Sequence, residues 1–239
     1  MFFLLCQSKR SLSIELHEYF DRLGESPCTK GAFSKARYRV LWVFFLDWHR
    51  HLIDLVYADG RTLCTWKGYF LKAVDGSSLY LFKDVEVEKE FGSQSNQHMR
   101  IPMARAGIEL DVLNGYCTQA QLQPYSIGEG VFAEAFLENA TEKDLRLYDR
   151  YFASFELIFK HLCIKTHFLM RCKVDFNQVV KKFVTSGKKQ SIVEFSIPDN
   201  ARQSMRRQGY SVDTKTTVRV RLLCVDIGQA EPEILITSL

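Results

Sequence analysis

At Trp66 the hydrophobic period of this 239-residue chain changes from helical to strand-like, so any fold open to it must set a helical segment ahead of a sheet. Upstream, Leu41, Phe44, Phe45, Trp48, Leu52, Leu55 and Val56 recur at the i, i+3, i+4 spacing of a buried helix face. Two shorter helices precede it. The first is capped by Ser11 or Ser13, runs to Leu23 and stops at Gly24; the second is capped by Thr29 and covers Lys30 to Arg39. Three short helices with a tight turn between the first two read either as a helix-turn-helix module, with Lys35, Arg37 and Arg39 facing DNA, or as a plain helical bundle. The aromatics Trp42, Phe44, Phe45 and Trp48 read most simply as core.

Downstream, Tyr69 to Val74 is an apolar run ending in Asp75-Gly76, and Ser77 to Phe82 reads as a further strand. Residues 83–100 are charged and polar and read as a loop. Arg105 to Leu113 and Tyr116 to Pro124 form two strand-like runs joined by Asn114-Gly115, a two-residue hairpin signal. A short helix over Phe132 to Asn139 follows, then a strand from Leu145 to Tyr148 that ends on Asp149. A helix over Phe155 to Cys163 leads to a strand from Thr166 to Cys172. That order describes a mixed α/β sheet. Beyond Lys173 the strands Ser191 to Ile197, Thr216 to Asp226 and Glu233 to Ser238 are separated by basic stretches with little helical pattern, a β-rich region appended to or inserted into the core.

Charge is unevenly spread. Residues 61–149 carry 9 Lys and Arg against 13 Asp and Glu, whereas residues 150–225 carry 15 against 5. A basic third beside an acidic middle reads as a polyanion partner next to a carboxylate-bearing site, or as a solvated basic face. Hydrophobic residues at 46% and charged residues at 25% are ordinary globular usage and exclude wholesale disorder. No apolar run reaches the roughly 18 to 20 residues a membrane span needs. Met1 to Leu5 has no basic n-region, and Cys6 follows a poor lipoprotein signal. Seven cysteines without a C-x-x-C pair read as reduced thiols, which makes the cytoplasm the expected compartment.

Two acids end apolar strands, Asp75 and Asp149. Ligands gather at strand ends in open α/β sheets, and two carboxylates on neighbouring strands can share a divalent cation, Mg²⁺ above all. Each also has a plain structural reading: Asp75-Gly76 as a hairpin turn, Asp149-Arg150 as a strand-end ion pair. His49-Arg50-His51 is too closely spaced for helical metal ligands. Gly128-Glu129-Gly130 lacks the Lys-Ser/Thr of a phosphate loop.

Five stretches, in order, resemble bacterial insertion-sequence transposases of the branch with a β-rich insertion in a ribonuclease-H-like catalytic core. Gly31 to Arg37 is similar to the Ala-Phe-Ser-x-x-Arg stretch of the N-terminal domain. Trp66 to Tyr69 with Ala73-Val74-Asp75-Gly76-Ser77 resembles the first catalytic block, and Ala104 to Ala106 with Asp111 to Gly115 the following hairpin. Tyr148-Asp149-Arg150-Tyr151 resembles the second block, and Phe168 to Lys173 the strand after it. The second block of that family has Gly where this chain has Tyr151.

The resemblance implies an α/β fold: a ribonuclease-H-like mixed sheet with an N-terminal helical domain over 1–62, the first part of the core over 63–173, and a β-rich insertion returning to the core over 174–239. It implies Asp75 and Asp149 as the first two members of an Asp-Asp-Glu triad holding Mg²⁺ or Mn²⁺, and Lys35, Arg37, Arg100, Arg105, Arg150 and the Lys/Arg of 160–221 as phosphate contacts. The implied partners are double-stranded DNA (terminal inverted repeats and target) and a second copy on paired ends; the implied place is the nucleoid. The third acid of the family sits on a helix in a Tyr-x2-Arg-x3-Glu-x6-Lys pattern that this sequence lacks. Glu194, Glu231 and Glu233 are its nearest substitutes, and all belong to or adjoin the strands beyond Lys173. The expectation is therefore a DNA transposase fragment that binds DNA without completing transposition. A catalytically inactive DNA-binding remnant or regulator is the second reading, and an α/β metallohydrolase of a small phosphoester the third.

Overall fold

The computed structural model describes residues 10–58, 63–95, 99–228 and 232–239. Met1 to Leu5, Cys6 and Glu231 lie outside the described residues. The chain divides into two compact units, Met1–Asp59 and Gly60–Leu239.

In the first unit are α1 (Leu12–Arg22) and α2 (Lys30–Arg37): Ser11 stands at the start of α1 without a side-chain capping bond, while the Thr29 hydroxyl caps α2 by accepting from the Ala32 amide at 3.1 Å. Gly24 takes a left-handed φ of 69°, the conformation that ends a helix at least cost in glycine. The third helix, α3 (Trp42–Ala58), corrects the sequence reading. It has no buried residue: Trp42 is 74% exposed, and Phe44 and Trp48 stay near 40%. Among the described residues, helices of 11 and 8 residues do not enclose this 17-residue apolar helix, and its aromatics stack on one another (Phe44 on Trp48 at 6.0 Å) rather than forming a core.

The second unit is built on a nine-stranded sheet. Its strands are β1 (Phe70–Tyr80), β2 (Ser93–Ser95), β3 (Arg100–Asp111), β4 (Tyr116–Pro124), β5 (Asp144–Tyr148), β6 (His167–Cys172), β7 (Gln190–Ser196), β8 (Thr217–Val225) and β9 (Glu233–Thr237). Spatial order is β2-β3-β1-β5-β6-β9-β8-β7, with β4 also on β3. β1, β3 and β4 make an antiparallel meander, β5 and β6 run parallel to β1, and β9 lies antiparallel between β6 and β8.

Four differences from the sequence reading have local causes. Asp75-Gly76 is not a turn, because β1 runs unbroken through it, held by nine registered pairs with β3 from Lys72↔Asp111 to Tyr80↔Met103. Tertiary pairing overrides the turn preference, and the glycine serves packing instead. Gly76 pairs with Gly107, and a Cβ at either would stand 2.7 Å from Glu129 Cγ or 2.4 Å from Phe132 Cγ. The hairpin loop spans residues 112–115, longer than two residues, because Asp111 turns inward and accepts from the Asn114 amide at 3.2 Å. The stretch 83–100 holds α4 (Val85–Phe91), capped by Asp84 accepting from the Glu86 and Val87 amides at 2.9 and 3.1 Å. The region past Lys173 holds two helices, α7 (Gln178–Thr185) and α8 (Asp199–Arg207), each burying one short apolar edge: Val180 and Phe183, Ala201 and Met205. Its strands extend the same sheet.

Two further helices are α5 (Gly130–Phe136) and α6 (Phe155–Cys163). With α7 and α8 they bury the sheet face carrying Val74, Tyr148, Phe168, Met170, Ile234, Ile236, Val218, Val220 and Leu222. Alternation puts Ala73, Asp75, Leu147, Asp149, Leu169, Arg171, Glu233 and Leu235 on the opposite face, where the apolar members are only half-buried.

Candidate functional site

The register of β1 on β5 runs Phe70↔Asp144 to Ala73↔Leu147. Two residues beyond that last pair on each strand stand Asp75 and Asp149. Parallel neighbours lie about 4.8 Å apart, so the two acids occupy matching places on one face, where β5 ends and β1 continues along β3. Asp75 is exposed and Asp149 half-buried. Asp75 Oδ1 accepts from the Gly76 amide at 2.8 Å, and Asp149 Oδ1 from the Tyr151 amide at 2.6 Å. Among the described residues, neither Oδ2 receives a hydrogen bond. The pair thus offers two free oxygens, a donor set that suits one hard cation keeping several waters. Among the described residues no group of three or more His, Cys, Asp or Glu could hold a metal ion.

Tyr151 fits the turn after Asp149 without a left-handed backbone, which among the described non-glycine residues occurs only at Lys67 and Lys165. Arg150 does not pair with Asp149. Its Nη2 donates to Glu233 Oε1 at 3.0 Å. Glu233 is also gripped by Arg171, whose Nε donates to Oε2 at 2.9 Å and Nη2 to Oε1 at 2.5 Å. Hydrogen bonding to Arg171, with the field of both guanidinia, holds the Glu233 carboxyl below its ordinary range. Arg171 is raised in turn, first by its bond to Glu233 and also by the charge of Asp149. Sequence reading passed over Arg171 as an individual; the alternation of β6, which sends Phe168, Met170 and Cys172 to the core, was the available signal.

The other expected contacts are dispersed. Lys35 and Arg37 are exposed on α2, with Arg37 over the Tyr38 ring at 5.9 Å, and Arg39 lies past the helix end. Arg100 pairs with Glu88, and its Nε donates to the Ser93 hydroxyl at 2.7 Å. Arg105 is on the helix-covered face, donating to Ser78 Oγ at 3.1 Å and Glu129 Oε1 at 3.2 Å over the Tyr125 ring. Glu194 is exposed on β7, registered against Arg219.

Beneath the acids lies a buried charge network that sequence reading also missed. Arg146 Nε donates to Glu109 Oε2 at 2.6 Å, and Lys72 Nζ stands 3.1 Å from Asp144 Oδ1. Thr118 and Gln119 add bonds of 2.8 and 3.1 Å to Glu109 Oε1. At the far end of the sheet, an open concavity of about 490 Å³ is lined by Tyr69, Glu142, Lys165 and His167.

The fold and site together define a mixed α/β protein with paired carboxylates on adjacent parallel strands, Asp149 just past the end of β5 and Asp75 beside it within β1. No family model matches the sequence, and no curated protein matches it. Among solved structures, a cryo-EM piggyBac transposase synaptic complex with hairpin DNA is similar, at 10% identity and a TM-score of 0.41, over 71% of this chain and 33% of that one. The chain therefore spans about a third of that protein's length. Among the described residues, no helix is long and apolar enough to cross a membrane.

Proposed function

We propose that the chain is part of a DNA transposase with a ribonuclease-H-like core, able to bind DNA and to hold a divalent cation weakly, but short of a complete catalytic set. The observation that carries this reading is the matched register of Asp75 and Asp149 on one half-exposed face. An antiparallel meander leading into two parallel strands, with helices over the other face, is the layout such a core calls for. Mg²⁺ or Mn²⁺, when bound, would supply charge neutralisation at a phosphodiester. Asp75 and Asp149 would hold the ion through their free oxygens. The basic side chains of β6 and β8 on the same face (Arg171, Arg219 and Arg221) would meet the phosphate backbone.

The open face favours a polymer over a small phosphoester, since Asp75 is exposed and the concavity lies at the other end of the sheet. Binding of a duplex oligonucleotide titrated against KCl tests the reading. The expected outcome is a log Kd rising with log [KCl] at a slope reporting several phosphate contacts; weak, salt-insensitive binding would return the small-phosphoester hydrolase. Mn²⁺ binding followed by electron paramagnetic resonance should be lost in Asp75→Asn and in Asp149→Asn. Strand transfer by the 239-residue protein in Mg²⁺ is expected to be absent, and robust transfer would overturn the incomplete-site reading.

A further inference from the structure

Glu233 is gripped by two guanidinia that come from widely separated parts of the chain. Arg171 meets both of its oxygens as a fork, and Arg150 adds a third bond to Oε1. A fork of this kind fits the two non-bridging oxygens of a phosphate as well as it fits a carboxylate. Within the fork two cations meet one anion, and with Lys173 and Asp149 counted three cations face two anions. Exposure is also unequal: the arginine side chains are 43% and 44% exposed, the Glu233 side chain 14%. The guanidinia therefore reach solvent on the face that carries Asp149, and Asp149 lies close enough for its charge to act on Arg171. Lys173, stacked over the Tyr151 ring at 5.2 Å, adds a cation beside them.

We infer that Arg171 and Arg150 form a phosphate-binding fork and that Glu233 is its resident competitor, an internal anion seated where a phosphate would sit. Both guanidinia are nearly half-exposed, so solvent screens their hold on Glu233, and a phosphodiester carried by a polyanion, with its neighbouring contacts, can displace Glu233, which turns out on its own flexible side chain. A free fork would draw in any phosphate, whereas a carboxylate-filled fork opens only where many neighbouring contacts drive the exchange. Glu233 in this role sets a threshold for engagement at the end of β5. The phosphate chemistry comes from the geometry; that the phosphate belongs to DNA rests on the reading proposed above.

The test is Glu233→Gln, which keeps the shape and removes the charge. A fluorescein-labelled duplex oligonucleotide, titrated by anisotropy at several KCl concentrations, should bind this variant about tenfold more tightly than the parent. Its salt slope should be steeper by about one to two released counterions. Adding Arg171→Ala in the same chain should cancel the gain. Glu138→Gln removes an equal charge from an exposed residue just past α5, paired with none of the arginines named above, and should change affinity less than about twofold. The Arg171 Nε–H resonance should respond to inorganic phosphate in Glu233→Gln at lower concentration than in the parent. Equal or weaker DNA binding by Glu233→Gln, an equal gain in Glu138→Gln, or no cancellation by Arg171→Ala each overturns the inference. A parent that binds DNA with a normal salt slope then leaves the transposase reading in place. If the Arg171 resonance shifts with phosphate while no variant binds DNA, the fork survives and the DNA reading falls.

Discussion

Arg146 is fully buried, and its Nε is bonded to a Glu109 carboxylate that is buried as well. Removing one partner of such a pair strands the other charge in a medium that solvates it poorly. Arg146→Ala should therefore cost about 3–5 kcal/mol in urea unfolding, with secondary structure unchanged; a cost within the error of a surface substitution would mean the network relaxes freely. His161 makes a prediction in pH. It is buried between the Tyr148 hydroxyl at 3.0 Å and the Thr166 hydroxyl at 2.7 Å, and burial first, then the charge of Arg146, lowers its pKa from 6.5 to about 3. Between those values the unfolded chain holds the extra proton. Stability contributed by His161 is thus complete above 6.5 and is lost as pH falls toward 3, at roughly 1.4 kcal/mol per unit within that window. Urea midpoints between pH 6.5 and about 5, above most carboxylate titrations, should slope in the parent and flatten in His161→Gln. At this scale the sequence disclosed Asp75 and Asp149, because each closes an apolar run. It hid the Glu233 fork, because Arg150 and Arg171 stand 83 and 62 residues from Glu233 and only the sheet brings them together.

At the scale of elements, the Thr29 cap, the helix over Phe155–Cys163 and the parallel strands were readable: Thr29 holds the start of α2, α6 covers the expected residues, and β5 and β6 lie within a residue of their apolar runs. What failed to show were elements whose order depends on distant partners. β1 looked like two strands until β3 paired across Asp75-Gly76, and α7 and α8 looked like loops because each buries only two or three side chains. α3 failed the other way, since its apolar spacing is real but its residues stay uncovered among the described residues of the first unit. The glycine pair makes this testable. Gly107→Val would drive a side chain into Phe132, whose ring is fully buried. It should cost about 1–3 kcal/mol by overpacking and disturb α5 before the strands, as read from Phe132 ring resonances. An unchanged spectrum would show that α5 sits off the sheet.

Across the whole molecule the two units should differ in protection. Among the described residues the first unit buries Leu16 and Glu15 and little else, whereas the second closes a contiguous core from Val74 to Ile236. Amide exchange should therefore exhaust α3 well before β1, β5 and β6, and equal protection would reveal a partner covering α3 in solution. The position of β9 bears on how the second unit is made. β9 is the wedge between β6 and the β7-β8 pair, yet it follows all three in the chain. During synthesis on a ribosome the two halves of the sheet remain unjoined until residues 233–237 emerge. An arrested nascent chain halted before that point should expose the edges of β6 and β8 together, and chaperones that recognise open strand edges should bind it there and release it a few residues later.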